Sequence, residues 1–254
     1  MTYLFKRLAN RLAAHFLGAE TRFLLKHYVV LTEASLLGRS PSHGNIDRRA
    51  HELLGRRTGG FYIEVGGADG VQWSDTLLLE KKYGWHGLLA EPVGFMADLC
   101  RRARGRHNIV EQVALTSPGG PRQIEIARVG LSSIVRDGKA NVKDINRHIG
   151  FHRDSSFDPT ASPEKVPAMP FSELARRHGI THVDFFSIDV EGFELELLRG
   201  IDFGYTYVDL FVIETDRFDL VADLLAPTHE FVERSGPVDY FFRAREPRRT
   251  APAV

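Results

Sequence analysis

The feature that most constrains this chain is the segment FYIEVGGADG at positions 61–70, where a short apolar run passes directly into a glycine-rich turn. Phe61 to Val65 has the length and the β-branched and aromatic content of a buried strand. A parallel α/β sheet uses such a strand and turn to present backbone N–H groups to a nucleotide-like ligand. We therefore predict a doubly wound α/β sheet with a ligand crevice at this turn.

A second strand, roughly Gly87 to Ala90, leads into the dipeptide Glu91-Pro92. Ligands of open α/β sheets lie outside the carboxyl ends of the strands, so Glu91 is expected where a ribose would lie. The glycine turn and this carboxylate together favour a nucleoside cofactor. An ordinary βα turn with a buried glycine pair is the alternative.

The details of the turn indicate which cofactor. The dinucleotide fingerprint G-x-G-x-x-G fails, because Ala68 and Val71 occupy its second and third glycine positions. What remains is an acid and small residues at alternate positions: Glu64, Gly66, Ala68 and Gly70. An acid at a strand end suits an ammonium group, whereas a pyrophosphate prefers bare N–H groups. S-adenosylmethionine carries an amino group, a sulfonium and a ribose diol, so both carboxylates would have partners on it.

Composition is that of an ordinary globular protein and does not choose a function. Of the 254 residues, 43% are hydrophobic and 26% charged, and 33 basic residues balance 33 acidic ones, which gives no argument for a nucleic-acid partner. The single cysteine, Cys100, excludes an intrachain disulfide and is interpreted as a core thiol. No apolar run is long enough for a transmembrane segment and no signal peptide is evident, so the expected location is cytoplasmic.

Residues 1–57 are predicted to form a helical extension, with a linker near 38–44. Apolar residues recur there at helical spacing, with basic residues between them: Leu4, Phe5, Leu8, Leu12, Phe16 and Leu17. Such a helix could cap the main domain, pack in a homodimer, or make peripheral contact with a membrane surface. The first two roles are favoured over the membrane.

From position 58 to 243 strand and helix patterns alternate, which predicts a mostly parallel sheet with helices on both faces and an antiparallel end. The third strand is expected at Asn108 to Leu115, and residues 244–254 form a polar tail. Residues 139–170 lack clear periodicity and are interpreted as a lid-like insert, with a disordered insert as the alternative. His148 and His152 within it are candidate bases.

Acids follow several predicted strands and should converge on the crevice: Glu64, Asp189, Glu191 and Glu214. Asp189 is the first candidate for a general base, because an adjacent apolar strand would desolvate it, and Glu214 is the second. Asp189 and Glu214 could instead hold Mg²⁺. Glu191 could equally be an acid at the N-terminus of the helix beginning near Phe193.

Several blocks together resemble the FkbM-type methyltransferases: FYIEVGGADGVQWSDTLLLEKKYGWHGLLAEP, VALTS, LSSIV, VDFFSIDVEGFELELLRG and VIE. The resemblance covers roughly residues 60–215 and implies a class I, Rossmann-like sheet of seven strands with the last one antiparallel. It also implies S-adenosylmethionine as cofactor. The expected cofactor contacts are Glu64, Gly66, Gly67, Ala68, Gly70, Ser74, Glu91, Pro92, Ala114, Leu115 and Asp189. Asp75 departs from the family, which tends to have asparagine there.

The family acts mostly on hydroxyls of sugars and polyketide-type products, so the resemblance implies an O-methyltransferase with a small-molecule or oligosaccharide acceptor. Trp73 and Trp85 could stack on a sugar face. An NAD(P)-dependent oxidoreductase is the first alternative, opposed by the broken fingerprint and the missing Tyr-x-x-x-Lys pair. A non-catalytic scaffold is opposed by the strand-end acids. A nucleic-acid methyltransferase is opposed by the neutral charge and the lack of an Asn-Pro-Pro-Tyr-like block.

Overall fold

The structure of the protein, a computed structural model, describes residues 19–129, 132–135 and 164–246. Three of the sequence predictions therefore concern residues outside the described ranges. They are the amphipathic pattern near the N-terminus, the greater part of the proposed lid with His148 and His152, and most of the polar tail.

The strands are β1 (Phe61–Val65), β2 (His86–Ala90), β3 (Ile109–Glu111), β4 (Ala114–Thr116), β5 (Gln123–Val129), β6 (Ser132–Val135), β7 (Glu164–Pro170), β8 (His182–Ile188), β9 (Tyr207–Glu214), β10 (His229–Ser235) and β11 (Asp239–Ala244). The helices are α1 (Ala19–Leu37), α2 (Ile46–Leu53), α3 (Leu77–Tyr83), α4 (Gly94–Arg104), α5 (Phe171–His178), α6 (Glu194–Arg199) and α7 (Phe218–Leu225), with a 3₁₀ turn at His43–Asn45.

The central sheet has seven strands in the order β3-β2-β1-β8-β9-β11-β10. Strands β1, β2, β3, β8 and β9 pair in parallel, and β11 is antiparallel to both β9 and β10. The order reverses at β1, and a crevice opens there at the carboxyl ends of the strands. The prediction of a mostly parallel, class I sheet with an antiparallel last strand is confirmed.

Four strands form a second sheet in the order β4-β7-β5-β6. The expected single strand over Asn108 to Leu115 is wrong, because the chain breaks between β3 and β4 and each part joins a different sheet. The prediction of an aperiodic segment is also wrong over residues 164–170, which form β7 at the centre of this second sheet. Prolines 167 and 170 suggested a loop, whereas Val166 and Ala168 are buried in a core cluster with Ile124.

The extension before β1 packs onto the domain through apolar residues of its helices. Phe23 of α1 belongs to a core cluster with Val93, and Ala34 of α1 packs with Leu77 of α3. Ile46 of α2 is buried in the core on one face of the central sheet. Among the described helices, including the nineteen-residue α1, none is long and apolar enough to cross a membrane.

Candidate active site

The turn after β1 is shaped by glycines that are pressed against other backbone. Gly66 has φ +85°, and a Cβ there would lie 1.7 Å from the carbonyl oxygen of Asp189. A Cβ on Gly67 would lie 2.9 Å from the Glu64 carboxyl carbon. Ala68, at the position where the dinucleotide fingerprint has its second glycine, takes a left-handed φ of +46°. The turn therefore brings bare backbone up to the end of β8.

Gly70 and Ser74 serve the inside of this turn. A Cβ on Gly70 would lie 2.6 Å from the Cys100 sulfur, and φ there is +71°. The Ser74 hydroxyl accepts the Leu77 N–H at 3.1 Å at the start of α3. Neither residue lines the crevice, so their expected contact with a cofactor stays a prediction.

Glu64, at the end of β1, lines the crevice, but its carboxylate is turned toward its own loop. It accepts hydrogen bonds from the Ser74 and Thr76 hydroxyls and from the Asp75 N–H at 2.5–2.9 Å. The buried Arg104 guanidinium lies 3.6 Å from the same carboxylate. Glu64 therefore ties the turn to the start of α3 as well as facing the crevice.

Arg104 holds the turn from behind and was not singled out from the sequence. Its side chain is fully buried and donates to the Gly70 carbonyl at 2.8 Å and to the hydroxyls of Ser74 and Thr76 at 2.9 and 2.7 Å. Its Nε also donates to Glu80 at 2.6 Å. Since a run of arginines at 101, 102 and 104 is typical of an exposed helix end, no local signal distinguished this one.

Glu91, at the end of β2, is buried and lines the crevice. Its carboxylate accepts the Val93 N–H at 2.8 Å. Burial raises the pKa of Glu91 to about 8, against the opposing effect of hydrogen bonds from the backbone of Val93 and Ala68. The carboxyl group is thus fixed in place at the position where the sequence predicted a ribose partner.

The crevice has a volume of about 940 Å³, including the part open to solvent. Its walls bring together most of the predicted cofactor contacts: Glu64, Gly66, Gly67, Ala68, Glu91, Pro92, Ala114, Leu115 and Asp189. Ile124 and Ile126 of β5 add an apolar wall that the sequence did not indicate. The second sheet therefore takes part in the site.

Carboxylates collect at the ends of β8 and β9. Burial raises the pKa of Asp189 well above its usual range, and Glu214, Glu191 and Asp75 raise it further. Burial, with Asp239 and Glu191 next, raises the pKa of Glu214 to about 7. Asp189 and Glu191 line the crevice, whereas Glu214 lies next to Asp189 outside the crevice walls. This cluster favours a cation or a proton between its members.

Glu191 follows β8 in a left-handed conformation with φ +52°. The N–H of Gly192 is taken by Glu194, at 2.6 Å, so Glu194 rather than Glu191 serves the N-terminus of α6. A non-glycine residue held at positive φ beside a crevice is a frequent feature of functional sites. Glu191 also lines the crevice, and its role there or at the N-terminus of α6 stays a prediction.

A comparison with protein-family models decides the class of enzyme. The model described as "Methyltransferase FkbM domain" matches residues 64–242, which is well over half of the chain. The chain belongs to the FkbM methyltransferase family. The resemblance seen in the motif blocks is thereby confirmed, and the family and fold support S-adenosylmethionine as the methyl donor. No curated protein sequence matches the chain.

Solved methyltransferase structures resemble this FkbM methyltransferase at low identity. A human methyltransferase 10 domain containing protein is 11% identical with a TM-score of 0.43, over 79% of this chain and 80% of that one. The N-terminal domain of human METTL16 in complex with SAH is 12% identical with a TM-score of 0.41, over 77% and 66%. A fibrillarin/Nop5p complex is 12% identical with a TM-score of 0.39, over 78% and 81%.

Two buried pairs join the crevice of this FkbM methyltransferase to the extension before β1, and sequence reasoning found neither. Asp75 accepts the Ser42 hydroxyl at 2.6 Å and the Ser187 hydroxyl at 2.7 Å, and its pKa lies well above its usual range because of burial and Glu64. His27 of α1 lies 2.8 Å from the Asp69 carboxylate, which also accepts two backbone N–H groups of the turn. The departure from asparagine at position 75 was the only local signal.

One group of side chains in the described part of the chain has the spacing of metal ligands: His182, Asp184 and Asp209. It lies near the amino ends of β8 and β9, away from the crevice. Arg57 contacts Asp184 at 2.5 Å and Asp209 at 2.6 Å, so one guanidinium already pairs with both carboxylates. The sequence-based alternative of Mg²⁺ between Asp189 and Glu214 stays untested by this geometry.

Proposed function

We propose that this FkbM methyltransferase is an S-adenosylmethionine-dependent O-methyltransferase that methylates a hydroxyl of a sugar or of a glycosylated natural product. One observation carries the proposal above the family match. A desolvated carboxylate, Asp189, lies on the crevice wall beside the glycine turn, so a base and a cofactor-binding backbone share one site. O-methylation needs both.

The crevice fits a nucleoside that carries a positive charge. Gly66 leaves no space for a side chain because the Asp189 carbonyl lies where its Cβ would be, which lets the turn pack against the end of β8. Glu91 supplies a fixed carboxyl group for a ribose diol, and Val113, Ala114 and Leu115 supply an apolar wall for an adenine. The carboxylates of Asp189 and Glu191 face the same space, where a sulfonium or an ammonium group would be stabilised.

The chain's own part in the reaction is positioning and proton removal. S-adenosylmethionine supplies a methyl group activated by the positive sulfur. The acceptor oxygen forms a bond to the methyl carbon as the carbon–sulfur bond breaks. The electron pair of the carbon–sulfur bond stays on the sulfur of S-adenosylhomocysteine. The hydroxyl proton passes to Asp189, or to Glu214 through Asp189, whose raised pKa values suit them to accept it.

A carbohydrate acceptor is supported by the resemblance to a family that acts mostly on such hydroxyls, and by the neutral net charge of the chain, which argues against nucleic acid. Cytoplasmic location, a homodimer, and the roles of residues 1–57 and 139–170 stay predictions from the sequence.

The test is thermal unfolding with S-adenosylhomocysteine, NAD and NADP in separate samples, each with and without Mg²⁺. We expect S-adenosylhomocysteine alone to raise the midpoint temperature of unfolding. At a hundredfold excess over its dissociation constant, the free energy of unfolding should increase by ~2–3 kcal/mol. A labelled methyl donor and a panel of sugars then identify the acceptor. A shift with a dinucleotide only would overturn the proposal, and dependence of the shift on Mg²⁺ would revive the metal alternative.

A further inference from the structure

A second cavity adjoins the crevice and shares a wall with it. The cavity has a volume of about 500 Å³, including its open part, and lies between α1 and residues 39–41. Gln72 and Trp73 line both spaces. The two spaces are therefore neighbouring compartments separated by these two side chains.

Trp73 is displayed at this boundary in a way that core packing does not explain. Its side chain is 47% exposed, its φ is +63°, and its backbone pairs with Ser42 in an isolated bridge. Trp85 provides the contrast, because it is 2% exposed and its Nε1 donates to the Arg57 carbonyl at 3.1 Å. A left-handed conformation at a bulky residue has an energetic cost that is usually retained at functional sites.

The wall is braced from α1. The Gln72 amide donates to Asp69 at 3.0 Å, and the same carboxylate oxygen lies 2.8 Å from the His27 ring nitrogen. Since His27 and Asp69 are both buried, this chain of contacts fixes the residue next to Trp73. The indole is thus carried by a supported segment rather than by a loose loop tip.

The second cavity carries a positive charge beside the indole. Arg39 and Glu33 pair with each other at 2.9 Å, while Lys26 places its ammonium 5.3 Å from the centre of the Trp73 ring. Within the described ranges, no carboxylate lies at ion-pair distance from Lys26. Arg39, Glu33 and Lys26 together carry one positive charge in excess. The flexible Lys26 side chain could reach a ligand that packs on the indole.

We propose that Trp73 and Lys26 form an acceptor subsite for a sugar ring that carries an anionic group, either a carboxylate or a phosphate. The apolar face of the ring packs on the indole, the Lys26 ammonium moves from the ring face to the anionic group, and a hydroxyl of the sugar points past Gln72 into the crevice. This inference rests on the proposed function, because it places the acceptor relative to the methyl-donor crevice. It adds the chemical class of the acceptor.

Tryptophan fluorescence tests the subsite without any turnover. The protein is first titrated with S-adenosylhomocysteine by calorimetry, and the saturated protein is then titrated with methyl glucuronide, glucose 6-phosphate, methyl glucoside and inorganic phosphate. We expect at least one charged sugar to change the Trp73 emission with a dissociation constant ~10-fold below that of methyl glucoside. The tighter of the two identifies the anionic group, and phosphate alone should leave the emission unchanged. Trp85 is buried and serves as the constant background.

Variants assign the effect to the two residues. Trp73→Gly removes the ring at a position where glycine is the favoured residue, so the protein should fold. Because this variant lacks the Trp73 emission, its binding of the charged sugar is measured by calorimetry, and that binding should be lost. Lys26→Gln should abolish the ~10-fold preference for the charged sugar. Lys82→Gln is the matched control, because Lys82 also lies over a ring, that of Tyr83, but outside the cavity, and it should change nothing.

The outcomes separate the two proposals. If S-adenosylhomocysteine binds but no charged sugar does, or if charged and neutral sugars bind equally, the subsite is overturned and the methyltransferase crevice stands. An unchanged preference in Lys26→Gln, or unchanged binding in Trp73→Gly, overturns it as well. If S-adenosylhomocysteine itself fails to bind, the proposed function is overturned and this inference with it.

Discussion

Acidic side chains lie at both ends of strands β8 and β9, and the two groups differ in whether a positively charged side chain pairs with them. Near the amino ends, Asp184 and Asp209 are bridged by Arg57, and His182 lies 3.2 Å from Asp209. At the carboxyl ends, the groups that raise the pKa of Asp189, after burial, are all carboxyls. Within the described ranges no cation pairs with Asp189. At the amino ends one guanidinium is shared by two carboxylates, whereas at the carboxyl ends Arg217 pairs with Glu194 and we propose that a ligand supplies the positive charge near Asp189.

The difference separates structural acids from functional ones better than burial does. A buried carboxylate with its own arginine stabilises the fold only as long as the pair is intact. A carboxylate whose pKa is raised by burial and by other carboxylates is better bound by protons in the folded state than in the unfolded state. It therefore lowers stability as the pH rises above the pKa of the unfolded chain. Such an arrangement is retained where a charged ligand or a transferred proton uses it.

Replacement of Asp189 is expected to have the largest effect. Asp189→Asn removes the proposed base and should lower turnover by ~10²–10⁴-fold, while the affinity for S-adenosylhomocysteine changes little. Because it also removes a carboxylate that repels its neighbours, it should stabilise the apo protein by ~0.5–2 kcal/mol in urea unfolding.

The matched control is Asp98→Asn, since Asp98 is exposed and pairs with Arg101 on the surface of α4. It should leave turnover and stability unchanged. Full activity of Asp189→Asn would move the base to Glu214 or to a histidine of the 139–170 segment. A loss of stability in Asp189→Asn would contradict the claim that repulsion among the carboxyls at this end of the sheet destabilises the folded protein.

At the other end of the sheet, Arg57→Ala should mainly change stability. It leaves Asp184 and Asp209 without their guanidinium, and we expect a loss of ~1–3 kcal/mol in the free energy of unfolding, between the values for exposed and for buried pairs because Arg57 is 38% exposed. The affinity for S-adenosylhomocysteine should be unchanged, because the crevice lies at the opposite strand ends.

Arg56→Ala controls for the loss of a positive charge, since Arg56 is 75% exposed and lies 3.9 Å from Glu52. Its effect should stay below ~0.5 kcal/mol. If both variants unfold at the same urea concentration as the wild type, the amino-end acids do not depend on Arg57.

The elements of the fold were predicted where the local pattern decides them. Strand β1 at Phe61–Val65 has the predicted bounds, and strand β2 at His86–Ala90 begins one residue before the predicted Gly87, since each is a continuous apolar run in a buried parallel sheet. Strand β7 was missed because it depends on partners far along the chain: it lies between β4 and β5. Its prolines hid a pairing that only the second sheet provides.

The candidate site was predictable in its positions and much less in its contacts. A glycine in a sequence shows that a side chain is excluded, but not on which side. Gly66 faces the Asp189 carbonyl at the crevice, whereas Gly70 faces Cys100 in the core. In the same way, an acid at a strand end shows where a carboxylate lies but not which hydroxyls hold it, as the serine partners of Asp75 show.

Glu91 is a crevice acid outside the cluster at β8 and β9, so its replacement tests cofactor binding separately from the proposed base. Glu91→Ala removes the expected ribose anchor and, at about pH 9 where a carboxyl with a pKa of about 8 is ionised, should weaken S-adenosylhomocysteine binding by ~10–100-fold, the equivalent of ~1.5–3 kcal/mol for a hydrogen bond to a charged group. Isothermal titration calorimetry measures it directly. Glu91→Gln should recover part of the loss, since an amide oxygen still accepts the Val93 N–H. Unchanged affinity in Glu91→Ala would remove the ribose assignment.

The pH dependence of cofactor binding is the smallest expected effect. It tests most directly whether the carboxylates at the carboxyl ends of β8 and β9 contact the cofactor. Because burial raises the pKa of Glu214 to about 7, and burial with the neighbouring carboxyls raises the pKa of Asp189 well above its usual range, protons hold the cluster partly neutral near pH 6. S-adenosylmethionine carries a sulfonium that S-adenosylhomocysteine lacks, so it binds better to the deprotonated cluster. The ratio of the two affinities should therefore rise ~10-fold from pH 6 to pH 8, the limit for the release of one proton with a pKa near 7. The ratio cancels the contribution of Glu91, which we propose binds the ribose of both ligands. In Asp189→Asn the rise should shrink, and a wild-type ratio that is flat with pH would mean that the cluster does not face the sulfonium.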